Sequence, residues 1–191
     1  TLGLFGFGAI GRALVGKAAG FGLQIIACDP YADASTAAGL GVEMVDWHTL
    51  LARSDYLSIH AAYSPETRHV FNSEAFRSMK PTACLINTAR GGFIDEDALR
   101  EALVSGEIAM AALDVVTSEP PVENPLLQLD NVLCTGHYAF YSPESFAEQW
   151  RRPADEVTCA LTGVWPTAVV NPAARTKFVE RWGPMREPDA E

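Results

Sequence analysis

The first twelve residues, Thr1-Leu-Gly-Leu-Phe-Gly-Phe-Gly-Ala-Ile-Gly-Arg12, contain the pattern that decides the fold. The apolar run at residues 2–5 is typical of a buried parallel strand. It leads directly into Gly6-x-Gly8-x-x-Gly11, and the residues that follow favour a helix. In this setting Gly6 permits a tight turn, Gly8 lets a pyrophosphate approach the backbone, and Gly11 lets the helix pack closely on the strand.

A second predicted strand, at residues 23–28, ends at Asp29, which lies 18 residues after Gly11. A carboxylate at about that distance suits the two hydroxyls of an adenosine ribose. The free amides of the first helical turn, at Ala9 and Ile10, would receive the phosphates. Strand, glycines, helix, strand and acid in this order predict a dinucleotide site. The alternatives are a purely structural turn and a site for another nucleoside, such as S-adenosylmethionine.

The composition is that of an ordinary globular protein, with 48% hydrophobic and 20% charged residues among 191. The 24 acids and 14 bases give a net charge of −10, which argues against nucleic acid as a partner. No apolar run approaches the roughly 20 residues of a membrane span, so we expect no membrane partner. The chain opens inside its first strand without a start methionine, and we therefore expect it to be a fragment.

The four cysteines are widely spaced and show no metal-binding or redox pairing pattern. With no recognisable signal peptide, this favours a reducing, cytoplasmic location and no metal site. The cysteines are Cys28, Cys84, Cys134 and Cys159.

About seven short strands alternate with helices along the chain, a pattern that predicts an α/β fold with a doubly wound (Rossmann) parallel sheet. The ligand of such a sheet binds beyond the carboxyl ends of the strands, where the strand order switches. The predicted strands are residues 2–5, 23–28, 42–45, 55–60, 83–87, 108–114 and 131–135.

We expect residues 1–163 to form the dinucleotide-binding domain. Its last element is a long helix at residues 142–161, with Ser142 as the N-cap. Pro153 lies well inside that helix and predicts a kink or a break, because an interior proline removes a backbone hydrogen bond. Residues 164–191 contain four prolines and are expected to be an irregular tail that returns toward a substrate domain outside this sequence.

A second informative stretch is Asn87-Thr-Ala-Arg-Gly-Gly-Phe-Ile-Asp-Glu96. An arginine that leaves a strand before two glycines is placed to present its planar guanidinium to a carboxylate. Taken alone, Arg90 could equally be a surface arginine in a turn.

This stretch, with Ala98-Leu99, resembles the signature of the D-isomer-specific 2-hydroxyacid dehydrogenases. The resemblance runs from residue 1 to about residue 163 and includes the glycine pattern, Ala112-Leu-Asp-Val115, Glu119-Pro120 and Gly136-His137. The run at residues 137–144 is most similar to the branch of the C-terminal-binding proteins and their bacterial dehydrogenase relatives. The resemblance implies the NAD-binding domain of an oxidoreductase, with NAD as the cofactor and a 2-hydroxy or 2-keto acid as the small-molecule substrate. We also expect a homodimer.

The resemblance further implies roles for individual residues. Arg90 would bind and polarise the keto acid, and His137 would be the general acid and base. Glu119 would hydrogen-bond the imidazole. Asp114 matches the position that contacts the nicotinamide carboxamide, although it could be an ordinary acid at a strand end.

Two further residues would lie near the cofactor. His60 matches a histidine of the family, but a loop-edge histidine that only satisfies its neighbours is an equal alternative. Thr88 follows the strand that precedes Arg90. Asp29 has no basic neighbour, which favours NAD over NADP because a carboxylate repels a 2′-phosphate.

One departure from the family is Gly136, since proline usually precedes the catalytic histidine; the loop is therefore expected to be looser. The rival function is an NAD-sensing interaction protein like the corepressors of the same branch. Formate dehydrogenase is disfavoured because that enzyme has an amide where Glu119 stands.

Overall fold

The computed structural model describes residues 1–184. Seven parallel strands form one sheet in the order β3-β2-β1-β4-β5-β6-β7. The doubly wound parallel sheet predicted from the sequence is confirmed. Its strands are β1 (Leu2–Phe5), β2 (Ile25–Cys28), β3 (Glu43–Met44), β4 (Tyr56–Ile59), β5 (Cys84–Asn87), β6 (Met110–Leu113) and β7 (Val132–Cys134).

The strand order switches direction beside β1, because β2 and β3 lie on one side of it and β4 to β7 on the other. Two backbone hydrogen bonds hold the loops together at this point. The Gly6 amide donates to the Cys28 carbonyl at 3.0 Å, and the His60 amide donates to the Phe5 carbonyl at 2.7 Å. The loops after β1, β2 and β4 therefore begin side by side, where a doubly wound sheet binds its ligand.

Five helices belong to this sheet: α1 (Ala9–Ala18), α2 (Ala34–Gly39), α3 (Trp47–Arg53), α4 (Ser73–Arg77) and α5 (Glu96–Ser105). The sequence predicts Asp46 as the N-cap of a helix that starts at Trp47, and the structure confirms it: the Asp46 carboxylate accepts from the Thr49 amide at 2.8 Å at the start of α3. The sequence also predicts that the pair Ser105-Gly106 stops a helix, and Gly106 ends α5 in the left-handed conformation, with φ at 77°.

The sequence predicts that Ser73 caps a short helix at the position of α4, and this prediction is wrong by one residue. Asn72 caps the helix, and its side-chain oxygen accepts from the amides of Glu74 and Ala75 at 3.0 and 3.1 Å. Ser73 is already the first helical residue. An asparagine carbonyl is at least as good an acceptor for these two amides as a serine hydroxyl.

Buried apolar side chains pack on both faces of the sheet, in two clusters. In the larger cluster, Phe5 meets Trp47 and Phe71 edge to face, with ring centroids 5.1 and 5.6 Å apart. Phe5 directly precedes Gly6, so this aromatic contact fixes the end of β1 from which the glycine loop starts.

The chain divides into two compact units, Thr1–Ala139 and a second unit from Phe140 onward. The second unit contains α6 (Pro143–Thr162) and α7 (Arg175–Trp182). The predicted domain boundary at residue 163 coincides with Gly163, the left-handed C-cap of α6; the domain division itself stays a prediction.

Helix α6 begins at the predicted cap, since the Ser145 amide donates to the Ser142 hydroxyl at 3.0 Å. Of the kink or break predicted at Pro153, the break is absent, because the helix is continuous through the proline; the kink stays a prediction. Exposed i,i+4 ion pairs are weak, and they offset only part of the roughly 3 kcal/mol that an interior proline costs. The pairs that flank the proline are Arg151 with Asp155 and Arg152 with Glu148.

The tail was expected to be irregular, yet α7 lies within it. A prolyl turn at Pro172–Ala174 leads into this helix, and Phe178 packs on Trp165 with ring centroids 5.1 Å apart. Pro166 and Pro172 precede the helix and Pro184 follows it, so none of these prolines interrupts it. Residues 185–191 of the predicted tail lie outside the described residues. None of the helices in residues 1–184 has the length and apolar character of a membrane span.

Candidate active site

The glycine loop is a turn that only glycine can make. Gly6 has φ at 95°, and a Cβ there would lie 2.4 Å from the Ala61 nitrogen. A Cβ on Gly11 would lie 2.7 Å from the Gly6 carbonyl oxygen, so α1 packs directly on the end of β1. A side chain at Gly11 would move the helix away from the strand, and a side chain at Gly6 would collide with the loop after β4.

The start of α1 is open toward the crevice. The N-cap is Gly8, which has no side chain that could accept from the first amides of the helix, and the first turn contains no acidic residue. Among the described residues, no atom outside its immediate neighbours lies within 4 Å of the place where a Gly8 Cβ would stand. The amides of Ala9 and Ile10 therefore face a space that an anion could occupy.

The Asp29 carboxylate is fixed by two backbone amides. Its Oδ2 accepts from Phe7, inside the glycine loop, at 2.8 Å, and its Oδ1 accepts from Tyr31 at 2.9 Å. Each carboxylate oxygen keeps one further acceptor site. A cavity of about 750 Å³ extends from the glycine loop to this carboxylate and is bounded by the loop after β4. The size of the cavity and the acceptor oxygens of Asp29 fit the adenosine half of a dinucleotide.

His60 borders this cavity and a second one of about 400 Å³. Burial lowers the pKa of His60, so the imidazole is neutral at pH 7. Its Nε2 lies 2.9 Å from the Ser58 hydroxyl, a side chain that is itself buried. The second cavity is also lined by Ile10, Thr88 and Arg90, and it joins the cofactor residues to the substrate residues predicted from the sequence.

Arg90 leaves β5 on a turn built by the side chain of Asn87. This buried amide accepts from the Ala89 nitrogen at 3.0 Å and donates to the Arg90 carbonyl at 2.8 Å. The next residue, Gly91, packs against the backbone of Val116, where a Cβ would lie 2.1 Å from the carbonyl carbon. The guanidinium is exposed on a backbone that is held from both sides.

His137 and Glu119 form the closest pair of titratable groups in the site. The imidazole Nδ1 lies 2.8 Å from Glu119 Oε2, and Glu119 Oε1 accepts from the Val116 amide at 3.3 Å. The hydrogen bond with His137 lowers the pKa of Glu119 below its usual value. Glu119 is therefore ionised at neutral pH and holds the ring by one nitrogen.

The three residues predicted to be catalytic line one cavity of about 380 Å³. It contains Arg90, Glu119 and His137, together with Tyr63 and Thr117. The cavity is open, since the His137 and Glu119 side chains are 44% and 38% exposed. A guanidinium, an imidazole and a carboxylate in one open cavity can bind an organic acid and transfer a proton.

Asp114, by contrast, directs its carboxylate into the loop that carries His137. It is only 6% exposed and accepts from the Thr135 hydroxyl at 2.5 Å and from the Tyr138 and Ala139 amides at 2.8 Å each. Burial raises the pKa of Asp114, but these hydrogen bonds outweigh it, and the pKa is lowered. The predicted contact of Asp114 with a cofactor stays a prediction.

Residues 1–139 match the family described as D-isomer specific 2-hydroxyacid dehydrogenase, NAD binding domain. The chain belongs to this family. NAD, predicted from the glycine pattern and Asp29, is the cofactor of these domains, and a structural neighbour from the family is an NAD complex.

Relatives of this NAD-binding domain are dehydrogenases and reductases. It is 43% identical to a D-3-phosphoglycerate dehydrogenase of Methanocaldococcus jannaschii. The 172 aligned residues make up 90% of this chain and 33% of that relative. It is 45% identical to a hydroxypyruvate reductase of Thermotoga maritima over 160 residues, and this alignment covers 82% of this chain and 50% of that relative. An NAD-complexed D-isomer specific 2-hydroxyacid dehydrogenase of Lactobacillus delbrueckii ssp. bulgaricus superimposes with a TM-score of 0.81 at 29% identity, covering 89% of this chain and 56% of that one. The chain thus spans about a third of the D-3-phosphoglycerate dehydrogenases that it matches.

Sequence reasoning missed three residues that shape the site of this domain. Tyr63 lines the catalytic cavity and meets Phe93 edge to face, with centroids 5.3 Å apart. Asn87 builds the turn of Arg90, and Thr135 bonds Asp114. All three end or follow a strand at the carboxyl edge of the sheet, which is the signal that could have found them.

Proposed function

We propose that this chain is the cofactor-binding and proton-transferring part of an NAD-dependent dehydrogenase that interconverts a 2-hydroxy acid and its 2-keto acid. One observation carries the proposal: the His137–Glu119 pair shares a cavity with Arg90, and the neighbouring cavity leads to the glycine loop. A dinucleotide site beside a guanidinium and an imidazole is the set of parts that hydride and proton transfer on an organic acid requires.

The residues present fit the dinucleotide. The amides of Ala9 and Ile10, beside the open position at Gly8, would receive its phosphates, and Asp29 would accept from its adenosine ribose. His60 and Thr88 would line the path from the adenosine half to the catalytic cavity. When bound, NAD supplies the hydride chemistry.

The substrate would be held by its carboxylate. Arg90 would pair with it and orient the neighbouring carbonyl. With Nδ1 of His137 bonded to Glu119, proton transfer falls to Nε2: the ring donates to the keto oxygen in reduction and accepts from the hydroxyl in oxidation. Glu119 fixes the ring in the tautomer and orientation that this transfer needs.

The names of the relatives support the substrate class. They act, by name, on phosphoglycerate, hydroxypyruvate and glyoxylate. The relatives' names do not bear on the family branch, the oligomeric state or the location of the protein. The branch with the C-terminal-binding proteins, and with it the NAD-sensing alternative, is supported by the run at residues 137–144 alone. The homodimer, the cytoplasmic location and the substrate domain outside this sequence stay predictions.

The test is NADH-dependent reduction of hydroxypyruvate, glyoxylate and pyruvate by the full-length protein. His137→Gln should lower kcat by about 10²–10⁴, because a general acid contributes that much, while NADH affinity stays near wild type. His48→Gln, an exposed histidine on α3, is the matched control and should keep wild-type rates. A wild-type kcat in His137→Gln would remove the proposed mechanism.

A further inference from the structure

The residues that connect β6 to the histidine loop form a compact network. Asp114 immediately follows β6 and binds the loop of residues 135–139 by four hydrogen bonds. Three are made by its carboxylate, and the fourth is made by its carbonyl, which accepts from the His137 amide at 2.9 Å. A carboxylate has about four acceptor sites, so this loop takes most of them.

The bonds lie on both sides of a residue that needs support. His137 has φ at 63°, a left-handed conformation that side chains with a Cβ rarely adopt. Such a conformation persists only where the surrounding structure determines it. The Thr135 hydroxyl lies before His137 and the Tyr138 and Ala139 amides after it, so the carboxylate holds the loop at both ends of the strained residue.

The same backbone segment also fixes the partner of His137. Two residues after Asp114, the Val116 amide donates to Glu119. The segment from Asp114 to Val116 is therefore the common support of both members of the proton-transfer pair. Gly136, which stands where the family usually has proline, does not leave the loop unsupported, because the bonds to Asp114 restrain it.

We propose that Asp114 is a positioning residue that clamps the histidine loop and sets the geometry of the His137–Glu119 pair. The proposal rests on the proposed function for its effect on rate, but the clamp itself is a structural claim. It assigns to the Asp114 carboxylate the role of a hydrogen-bond acceptor for the loop of residues 135–139.

The clamp is tested without activity by hydrogen exchange of the full-length protein. Asp114→Asn keeps one carbonyl acceptor but places an amide donor against one of the loop N–H groups. We expect faster exchange of the Tyr138 and Ala139 amides, whereas Asp130→Asn, an exposed acid at the opposite end of the sheet, should leave them at wild-type rates. Unchanged protection in Asp114→Asn would overturn the proposal.

The effect on rate is tested at Thr135. Its hydroxyl donates to the Asp114 carboxylate, and the residue does not line the catalytic cavity. Thr135→Val removes one hydrogen bond and should lower kcat about tenfold, since small displacements of a catalytic group are costly, with the KM for NADH near wild type. Thr135→Ser keeps the hydroxyl and should recover most of kcat. A raised KM for NADH at wild-type kcat would assign the network to cofactor binding and overturn the positioning role.

These outcomes separate the two proposals. If His137→Gln turned over normally, the proposed function would fail, while the exchange result would still decide whether the clamp exists. If His137→Gln were inactive and Thr135→Val fully active, the function would stand and the positioning role would fall. Should Asp114→Asn not fold, Thr135→Val alone decides the matter by the same two measurements.

Discussion

The carboxylate of Asp29 does two things in one place. It ties the glycine loop to the end of β2 through the Phe7 amide, and it keeps acceptor sites directed toward the cavity beside it. If Asp29 only bound the ribose, its replacement would lower the affinity for the cofactor and leave the glycine loop unchanged. Asp29 also shapes the loop that would face the phosphates, so its removal should affect both halves of the cofactor site.

The first prediction from Asp29 concerns the choice between NADH and NADPH. The chain should bind NADH more tightly than NADPH, because the Asp29 carboxylate would accept from the ribose hydroxyls and would repel a 2′-phosphate. Asp29→Ala should weaken NADH binding and narrow the difference between the two cofactors. Fluorescence titration measures both affinities, and Glu101→Ala, an exposed acid on α5, is the matched control. Equal affinities in the wild type would rule out this role for Asp29.

His60 gives a second prediction, on pH and stability. Burial lowers the pKa of His60 in the folded protein, so the unfolded chain binds the proton more tightly. The stability linked to this residue is therefore complete above the unfolded pKa of about 6.5 and is lost as pH falls toward the folded value.

His60→Gln should flatten this part of the pH dependence. Urea unfolding at about pH 8 and about pH 5 measures it: the loss of unfolding free energy between the two should be smaller in the variant. The comparison at pH 8, where neither protein carries a charge at residue 60, is the internal control. An equal loss in both proteins would show that another group causes the slope.

Hydrophobic periodicity and helix-capping residues predicted most of the strands and helices of the unit Thr1–Ala139. The seven strands followed from apolar runs of four to seven residues, and Asp46 and Gly106 followed from helix-end chemistry. The failures have local causes. The cap of α4 fell on Asn72 because two adjacent polar residues could both serve, and the packing of Phe178 on Trp165 made α7 possible in a segment whose composition resembles a loop.

The site was predictable to the extent that it depends on strand ends. Arg90 and His137 both follow strands of a parallel sheet, which places their backbones at one edge whatever the details. The direction of a side chain is not encoded in that pattern. The carboxylate of Asp114 turns into the loop of residues 135–139, and Tyr63 reaches the catalytic cavity, through loop conformations that no spacing rule specifies.

Helix α6 carries a prediction of its own. Pro153 lies inside a continuous helix, so the helix lacks one backbone hydrogen bond there. Pro153→Ala should raise stability by about 1–3 kcal/mol, measured by urea unfolding followed through helical circular dichroism. Pro143→Ala is the matched control, because a proline at the first helical position loses no intrahelical bond, and it should bring no gain. A gain in the control, or none at Pro153, would contradict this account of the helix.

For the molecule as a whole, the decisive property is that the catalytic cavity is open on this chain. The proposed proton-transfer pair is exposed to water on a unit that already has a complete sheet and core. Water competes for the guanidinium and the imidazole and weakens the electrostatic interactions that would hold a substrate. The relatives are two to three times longer than the part that aligns with this chain, which leaves room for a domain that closes the cavity.

We therefore expect the 191-residue chain to bind NADH and yet turn over 2-keto acids at least 10²–10³ times more slowly than the full-length protein, because substrate orientation and water exclusion are both missing. Calorimetry of NADH binding and an NADH-oxidation assay with hydroxypyruvate measure the two properties separately. Asp29→Ala serves as the binding control and His137→Gln as the activity control. Comparable turnover by the isolated chain and the full-length protein would show that the open cavity is sufficient for catalysis. Loss of NADH binding would instead place part of the cofactor site outside the chain.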